Sequence, residues 1–557
     1  MKINATRKEH IAYFLTGCLL GILCFVAIYG IKILDVRYDI WLLLGDFDLA
    51  QHYVGWGHFR NDAWQFPIGL VSTLSYPYSM SVVYTDSIPI VAVFFKLLSP
   101  ILPATFQYFG LYGLVSFMLM GGLSMLLIHR FVESRVITVL ASIFFITSFP
   151  ILHRMYYHTA LASQWLIILA LVIWFYSDIN EPSYKKCIKW GFVGFLCVGI
   201  HSYFLPMIGG IMAVAIIDEC ISSYKITGKV KHKIIEGIYE IASFCVFGLF
   251  NLWLLGGLYG GASAIGGGLG DFEGNLNTFI NPLGHGINGA SLAVYNDFQY
   301  EGFGYLGLGM LLLLAVMIVG VAGLLILNRS AIQPKAYIKE HHRQTLMVLL
   351  FILFVILATG PMYTIGDHRL FTLRLPRIVE KVAGIFRSNG RFIWVSMYIL
   401  MLAIVVTIDR IMRKSMKIVI FCLALIIQIV DLSPEIVSKQ LYFNRRQTFN
   451  SMWEATPLQQ ILTDKEEFIV MDSSSWVMMD TAYYAFKHDM KTNVFYFARN
   501  IDDKINAQKA EYEQELLDGN AREDAAYVFL KEGFEAAKYP DLVIYETGEH
   551  IVGVKRK

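Results

Sequence analysis

Two carboxylates stand directly after the first long apolar stretch of this sequence, Asp46 and Asp48 in the segment GDFDLAQHYVGWGHFR, residues 45–60. A carboxylate that can accept a proton activates a hydroxyl group for attack on another molecule. The polar and aromatic candidates for substrate contacts in this segment are Gln51, His52, Tyr53, Trp56 and Arg60. The aromatic residues here, with Trp64 beyond, fit either stacking on sugar faces or anchoring at a membrane interface.

Polar side chains also fall at the ends of several other apolar stretches. Ionisable groups at membrane depth are costly and usually serve function, so we expect them to share one site. Cations in such a site would stabilise a departing phosphate. The candidates are Asp86, Arg154, His158, His201, Glu301, Arg387 and Arg391. Asp86 has an equally good alternative role, because it or Ser87 could cap the helix that follows.

The composition is that of a membrane protein. Of 557 residues, 56% are hydrophobic and only 16% are charged, and the mean hydropathy is +0.53. Soluble domains average about 25% charged residues. Long apolar runs in lipid must be helices, because the backbone has to satisfy its own hydrogen bonds. The net charge of +2 does not suggest a nucleic-acid partner, and the lack of a glycine-rich phosphate loop argues against ATP hydrolysis.

Apolar runs predict eleven membrane spans, with Pro206 as the reason for dividing the region 188–222 into two. The spans are residues 11–34, 105–128, 136–151, 160–177, 188–202, 205–222, 236–258, 303–327, 344–360, 392–409 and 415–432. Lysine and arginine concentrate in alternate connections, which by the positive-inside rule places the N-terminus in the cytoplasm and the C-terminus outside it. We expect a multi-pass protein of the bacterial cytoplasmic (inner) membrane, with the first run kept as an anchor.

The expected fold class is an α-helical polytopic membrane protein with a small C-terminal α/β domain. Residues 1–432 form the predicted membrane domain, and residues 433–557 form an extracytoplasmic soluble domain. The first outer loop, 35–104, holds a short proline-bracketed helix at 88–102 that would lie along the interface. Strands are predicted at 467–471, 493–497, 526–530, 542–545 and 551–554, with a helix at 503–517. We expect this domain to act as a structural or docking cap.

Two further outer loops differ in composition. Residues 259–302 are rich in glycine, which gives backbone freedom or close approach to a ligand. Residues 361–391 carry six cations on the side that should lack them: Arg369, Arg374, Arg377, Lys381, Arg387 and Arg391. Guanidinium groups bind phosphate well, so this loop favours an anionic partner. Pairing with lipid headgroups is the alternative.

A proton-accepting carboxylate, phosphate-binding cations and a membrane setting together suggest sugar transfer from a polyprenyl-phosphate-linked donor. A transporter or lipid flippase is the main rival, since it too would hold polar groups in a membrane cavity. Transporters often place their binding site at the midplane between repeated halves. This sequence has no internal repeat, and its polar residues gather at the outer ends of the spans.

The layout resembles the GT-C superfamily of membrane glycosyltransferases. These proteins have many spans, an acidic motif in the first outer loop, an interfacial helix and often an outer C-terminal domain. The chain is more closely similar to a bacterial family of multi-pass proteins that is classified as a domain of unknown function. The matching stretches are DLAQHYVGWGHFR with WQFPIGL, VYTDSIPI, YEGFGYLGLG and FRSNGRFIW.

The resemblance implies roles for particular residues. The acidic residue three positions before Gln-His-Tyr is Asp48, which would be the general base of an inverting reaction, with Asp46 as a hydrogen-bonding or metal partner. Some GT-C enzymes use Mg²⁺ or Mn²⁺ and others do not, so any metal on these aspartates stays open. Arg387 and Arg391 would hold the lipid phosphate. His52, His158 and His201 would position substrate or phosphate. The sugar and the acceptor, an envelope glycan, a lipid or a protein, stay open.

Overall fold

The computed structural model describes residues 6–45, 47–264, 269–327 and 340–556, and Asp46 lies outside these ranges. Within them the chain is mainly helical, with a small sheet near the C-terminus. Ten helical segments are long and apolar enough to cross a membrane, which indicates a multi-pass membrane protein. They are Arg7–Tyr29, Phe109–His129, Arg135–Arg154, Thr159–Tyr176, Phe204–Thr227, Lys231–Leu254, Leu308–Leu327, His342–Thr359, Asn389–Ile411 and Lys414–Asn444.

In chain order the helices before the glycine-rich loop are α1 (Arg7–Tyr29), α2 (Ile40–Leu43), α3 (Phe47–Asn61), α4 (Pro89–Leu97), α5 (Phe109–His129), α6 (Arg135–Ile146), α7 (Phe149–Arg154), α8 (Trp165–Tyr176), α9 (Ser183–Ile200), α10 (Phe204–Thr227) and α11 (Lys231–Leu254). After the loop come α12 (Leu308–Leu327), α13 (His342–Thr359), α14 (Arg377–Ala383), α15 (Ile393–Ile411), α16 (Lys414–Asn444), α17 (Leu458–Leu462), α18 (Ser475–Lys487) and α19 (Asp502–Leu517). Several short 3₁₀ turns connect them.

One of the eleven predicted spans, 188–202, forms α9, but α9 is not among the ten apolar helices of the described chain. Three lysines near its start, Lys185, Lys186 and Lys189, make it less apolar. The division at 188–222 is confirmed, since α9 ends at Ile200 and α10 begins at Phe204. Pro206 lies in the first turn of α10, where a missing N–H disturbs no helical hydrogen bond.

Residues 35–104, predicted as the first outer loop, are folded rather than extended. They contain α2, α3, the hairpin of β1 (Leu70–Ser75) and β2 (Tyr78–Ser81), and α4. The predicted helix at 88–102 is α4 followed by a 3₁₀ turn, and Phe94, Leu97 and Ile101 expose their apolar side chains there. Neither Asp86 nor Ser87 caps α4, because the N-cap position is Ile88 and no side chain bonds the helix end. The capping interpretation is therefore wrong.

The glycine-rich loop and the cationic loop both contain short strands. Strand β3 (Ser263–Ala264) belongs to the glycine-rich loop, and β4 (Met362–Ile365) pairs with β5 (His368–Thr372) in the cationic loop. Helix α14 follows this hairpin, and its Ile378 and Val382 side chains are exposed. The cationic loop thus carries arginines and exposed apolar groups side by side.

The C-terminal domain is an α/β unit, as predicted. Its strands are β6 (Glu467–Val470), β7 (Lys491–Thr492), β9 (Ala525–Leu530), β10 (Leu542–Thr547) and β11 (His550–Lys555), in the order β10-β11-β9-β6-β7. Strand β6 runs parallel to both neighbours. The predicted strand 493–497 does not form. That segment instead crosses to the first outer loop, where the Ala498 N–H donates to the Tyr84 carbonyl.

The predicted boundary between residues 432 and 433 falls inside the continuous helix α16, which ends at Asn444. The C-terminal domain packs directly on the first outer loop, and its core is continuous with that of the helical region. Short strand β8 (Arg499–Asn500) pairs with β3, and the Gln508 amide donates to the Tyr76 carbonyl. The domain is therefore held against the loops that follow the spans.

His58 of α3 lies in this domain contact and predicts an acid-sensitive fold. Its ring bonds the Thr73 hydroxyl and the Ala482 carbonyl at 2.9 and 2.8 Å. Burial lowers the pKa of His58 to about 4, against the opposing pull of the Ala482 carbonyl and Asp62. The unfolded chain has a His pKa of about 6.5, so it takes up a proton between pH 6.5 and 4 while the folded chain does not. Stability should fall by about 3 kcal/mol across that window.

The measurement is the unfolding temperature of the purified protein between pH 7 and pH 4. In His58→Gln the unfolding temperature should fall less steeply between pH 7 and pH 4, by the contribution of about one bound proton, because Gln does not titrate. His368→Gln, at an exposed position of β5, is the matched control and should leave the profile as in wild type. An unchanged pH profile in His58→Gln would contradict the assignment.

Candidate active site

A continuous chain of ionic contacts joins four separate parts of the sequence near the ends of the spans. The His158 Nε2 lies 3.1 Å from Asp48 Oδ2, and Arg154 Nη1 lies 3.3 Å from His158 Nδ1. Arg154 Nη2 bonds Glu301 Oε2 at 2.6 Å, and Arg391 Nε bonds the same oxygen at 2.7 Å. The five predicted residues therefore belong to one cluster.

Helix α3 places Asp48 in its first turn, where the helix dipole stabilises a negative charge. Burial alone would raise the pKa of Asp48, but the hydrogen bond from His158 leads the effects that outweigh burial and hold that pKa below its usual range. The Asp48 side chain is 21% exposed. It is thus an ionised carboxylate that a substrate can reach.

The contacts of His158 fix the position of its proton. Arginine can only donate, so Arg154 donates to Nδ1 of His158 and leaves the proton on Nε2. That Nε2–H donates to the Asp48 carboxylate. His158 lies just after α7 and Arg154 is the last residue of α7, so the turn that ends this helix sets the geometry of both side chains.

Glu301 is buried between the two guanidinium groups. Arg391 reaches it through Nε and Nη2, at 2.7 and 3.0 Å, which is the two-pronged geometry that arginine favours. Burial raises the pKa of Glu301, but Arg154 and Arg391 reverse this and hold it well below its usual range. Two cations around one anion leave a positive charge next to Asp48.

Glycines allow the Glu301 and Arg391 segments to meet. A Cβ placed on Gly302 would lie 2.4 Å from the Gly274 Cα, and one placed on Gly390 would lie 2.7 Å from the Gly302 nitrogen. Such distances do not occur for real Cβ atoms, so only glycine permits this approach of three backbones. The glycines next to Glu301 and Arg391 in two of the quoted stretches therefore have a packing role.

A second carboxylate and imidazole face each other beside the first pair. His201 Nε2 lies 3.7 Å from Asp86 Oδ1. The Tyr203 N–H donates to His201 Nδ1, which leaves the His201 proton on Nε2, toward Asp86. Burial, and to a lesser degree the charge of Asp48, raise the pKa of Asp86. The two carboxylates therefore differ, since Asp48 is the more acidic of the two.

The backbone at Asp86 is strained. Asp86 and the β-branched Ile88 have φ of 52° and 53°, in the left-handed region that side chains rarely adopt. The turn is held by Ser87, whose hydroxyl donates to the His52 carbonyl at 2.8 Å, and by Tyr108, whose hydroxyl donates to the Ser87 carbonyl. This strained turn brings Asp86 to the cluster.

His52 lies one helical turn after Asp48 and is fully buried. Within the described part of the chain neither of its ring nitrogens has a hydrogen-bond partner. Burial lowers the pKa of His52 to about 3, although Asp48 acts in the opposite direction, so the ring is neutral. Unpartnered buried polar atoms are costly, and here they lie one helical turn from Asp48.

Four of the residues predicted to contact substrate make hydrogen bonds within the protein. The Tyr53 hydroxyl donates to Asp39 at 2.6 Å, and the buried Trp56 donates its indole N–H to the Phe106 carbonyl. Arg60 donates to the carbonyls of residues 103 and 104. Gln51 donates to the Tyr496 carbonyl at 2.8 Å. Successive side chains of a helix project in different directions around its axis. Some side chains of α3 therefore point to the cluster, and the others point to the core or to the C-terminal domain.

The two arginines predicted for phosphate binding differ in environment. Arg391 is buried and stacks on the Tyr203 ring at 4.6 Å. Its Nε and Nη2 atoms both bond Glu301, so these donors are not open to a phosphate. Arg387 is half-buried and lies over the Phe272 ring at 5.4 Å. Arg387 therefore lies where the cationic loop meets the edge of the cluster.

The sequence left a metal ion on Asp46 and Asp48 open, and Asp46 lies outside the described residues. In the remainder no group of three or more His, Cys, Asp or Glu side chains is arranged to hold a metal ion.

Tyr496 is a cluster residue that the sequence did not reveal. It belongs to the C-terminal domain, its ring packs edge-on against Phe47 at 5.1 Å, and the charges of Asp48, Asp86 and Arg387 act on its hydroxyl. It also lines a cleft of about 240 Å³ between β6, α18 and α19. In the sequence, Tyr496 is one aromatic residue within the apolar run 493–497, a pattern that predicts a strand and not a site residue.

The fold is mostly helical, with ten helices that are candidate membrane spans, and its C-terminal α/β domain packs beside a polar cluster. Residues 18–433 match the family model described as a domain of unknown function, DUF6311, and residues 457–555 match the DUF6311 C-terminal domain. The chain belongs to the DUF6311 family, as its sequence stretches predicted. A search of curated proteins found no match.

Proposed function

We propose that this protein is an integral membrane glycosyltransferase that moves a sugar from a polyprenyl-phosphate-linked donor to an acceptor on the outer face of the bacterial cytoplasmic membrane. The observation that carries the proposal is the reachable, ionised Asp48 held by His158 next to the positively charged group of Arg154, Glu301 and Arg391. Attack by a hydroxyl group requires a base to accept its proton, and departure of a phosphate requires cations to stabilise its charge. This cluster holds both kinds of group in contact.

In the proposed reaction the acceptor hydroxyl gives its proton to Asp48 as its oxygen bonds to the anomeric carbon. The bond from that carbon to the phosphate oxygen breaks, and the lipid phosphate leaves with the electron pair. Attack and departure occur on opposite sides of the carbon, so its configuration inverts. The proton that Asp48 gains then passes to solvent.

The cationic loop supports binding of a lipid phosphate. Its β4–β5 hairpin and α14 expose arginines together with apolar side chains such as Ile378, which is 80% exposed. A polyprenyl chain needs an apolar surface and its phosphate needs cations, and this loop offers both. Arg387, near the C-terminal end of this loop and four residues before Arg391, is our choice for the phosphate contact.

The C-terminal domain supports entry of the acceptor. The cleft beside Tyr496 lies at the carboxyl end of β6, where α/β sheets commonly bind ligands. Its wall includes Asp472, Asn500 and Asn506, whose side chains can bond sugar hydroxyls. Tyr496 forms part of both the cleft and the rim of the cluster, so an acceptor in the cleft would have a short path to Asp48.

The test is a transfer assay with purified protein in proteoliposomes. Radiolabelled polyprenyl-phosphate sugars from a small panel are offered, with crude envelope as the acceptor. Label should appear in envelope material only with active protein. Lipid movement between leaflets with no donor consumed from a broad panel would refute the transferase and favour the transporter or flippase alternative.

A further inference from the structure

A cavity of the described chain lies at the opposite end of the helix bundle from Asp48. It has a volume of about 610 Å³ and lies mainly between α13 and α15. Arg391 precedes α15, whereas Arg410 at its far end lines the cavity. The helix rise of 1.5 Å per residue separates these two ends by about 25 Å, so this cavity is not part of the candidate active site.

The cavity is a slot with two different ends. On α15 its lining residues include Ile399, Ala403, Val406 and Arg410, which share one helix face because they are spaced by three or four residues. The Ser396 hydroxyl donates to the Phe351 carbonyl at 2.8 Å and closes the slot at its apolar end. From residue 399 to residue 410 the slot runs about 16 Å, close to one leaflet of a hydrocarbon core of about 30 Å.

Three arginines gather at the polar end. Arg410 is exposed and forms no ion pair with any other described residue. Arg343 bonds Asp218 through Nε at 2.7 Å, and Arg130 donates its Nε–H to the Phe175 carbonyl at 3.1 Å. Glu340 is the one acidic residue of the described lining, so the cations outnumber it.

The like charges at this end favour an anion. Burial and the neighbouring charge of Arg343 lower the pKa of Arg130. A negative group placed among the arginines would relieve that repulsion, while an apolar chain would fill the slot beyond them. A free phosphate would satisfy only the polar end and leave the apolar walls wet.

We infer that the slot between α13 and α15 is a binding site for an anionic phospholipid of the adjoining leaflet, with the phosphate among Arg130, Arg343 and Arg410 and one acyl chain along Ala403 and Val406. Such a lipid would stay bound to the protein and fix the spacing of these two helices. The inference does not depend on the proposed glycosyl transfer, because none of these residues belongs to the cluster around Asp48.

The test is native mass spectrometry of the purified full-length protein in detergent, titrated with phosphatidylglycerol or with phosphatidylcholine of the same chains. We expect wild type to retain phosphatidylglycerol preferentially. Arg410→Gln should weaken that binding about fivefold, since one arginine near anionic lipid contributes about that factor. Ala403→Phe, which fills the slot, should weaken both lipids.

Arg413→Gln is the matched control, because Arg413 is an exposed arginine just beyond α15 that does not line the cavity. It should bind phosphatidylglycerol as wild type does. Elution volume and unfolding temperature confirm that each variant is folded, and Ala403→Phe decides the outcome if Arg410→Gln fails that check. Equal retention of both phospholipids by wild type, or tighter retention of undecaprenyl phosphate than of phosphatidylglycerol, would overturn the inference.

Discussion

Asp48→Asn is expected to lower the transfer rate about a thousandfold, within the range that general-base catalysis contributes. Asparagine keeps the size of the side chain and can still accept the hydrogen bond from His158, so the cluster should keep its shape. It cannot accept the proton of the attacking hydroxyl. The measurement is the initial rate of label transfer in proteoliposomes at saturating donor.

Two further variants make this result specific. Asp503→Asn alters an exposed carboxylate of α19 and should keep the wild-type rate. Asp86→Asn removes the second carboxylate and should cost less than Asp48→Asn, because burial raises the pKa of Asp86 and makes it the less ionised group. A larger loss in Asp86→Asn would make Asp86 the base and contradict our assignment.

The pH dependence follows from the same residue. The pKa of Asp48 is held below its usual range, so the base is ionised above that pKa and is lost only as the pH falls through it. The rate of the transfer step should therefore be flat from pH 5 to pH 8. A rate that rises tenfold per pH unit across this range would indicate a base with a higher pKa.

Glu301→Gln is expected to destabilise the folded protein by about 3–5 kcal/mol, the usual cost of breaking a buried ion pair from one side. Glutamine is close in shape but leaves Arg154 and Arg391 as two buried cations without their shared anion. Transfer should also fall, because these arginines set the position of His158. The measurement is the unfolding temperature in detergent, beside the transfer rate.

A double-mutant cycle separates this effect from a simple loss of packing. Arg154→Gln in the Glu301→Gln background removes one of the two unpaired cations and should cost less than it does in wild type. Glu380→Gln, at an exposed position of α14, is the control and should leave stability unchanged. Strictly additive losses for Arg154 and Glu301 would contradict the buried network.

Much of the architecture follows from the sequence alone. Apolar runs predicted the helices because a lipid-embedded backbone must bond within its own helix, and all but one of the eleven predicted spans are matched by strongly apolar helices. The α/β character of the C-terminal domain followed from short apolar strands between polar helices. The carboxylates, histidines and arginines of the polar cluster were also predictable, since ionisable groups are rare in such a composition.

Tertiary structure alone decided which of those residues meet and how. Arg391 was predicted as a phosphate ligand. The close contact of Gly390 with Gly302 instead brings its guanidinium group to Glu301, which it bonds. Tyr53 and Trp56 point to the core because of their positions around α3. Tyr496 reaches the cluster through the docking of a distant domain. Contacts between residues far apart in sequence depend on packing, which local pattern does not encode.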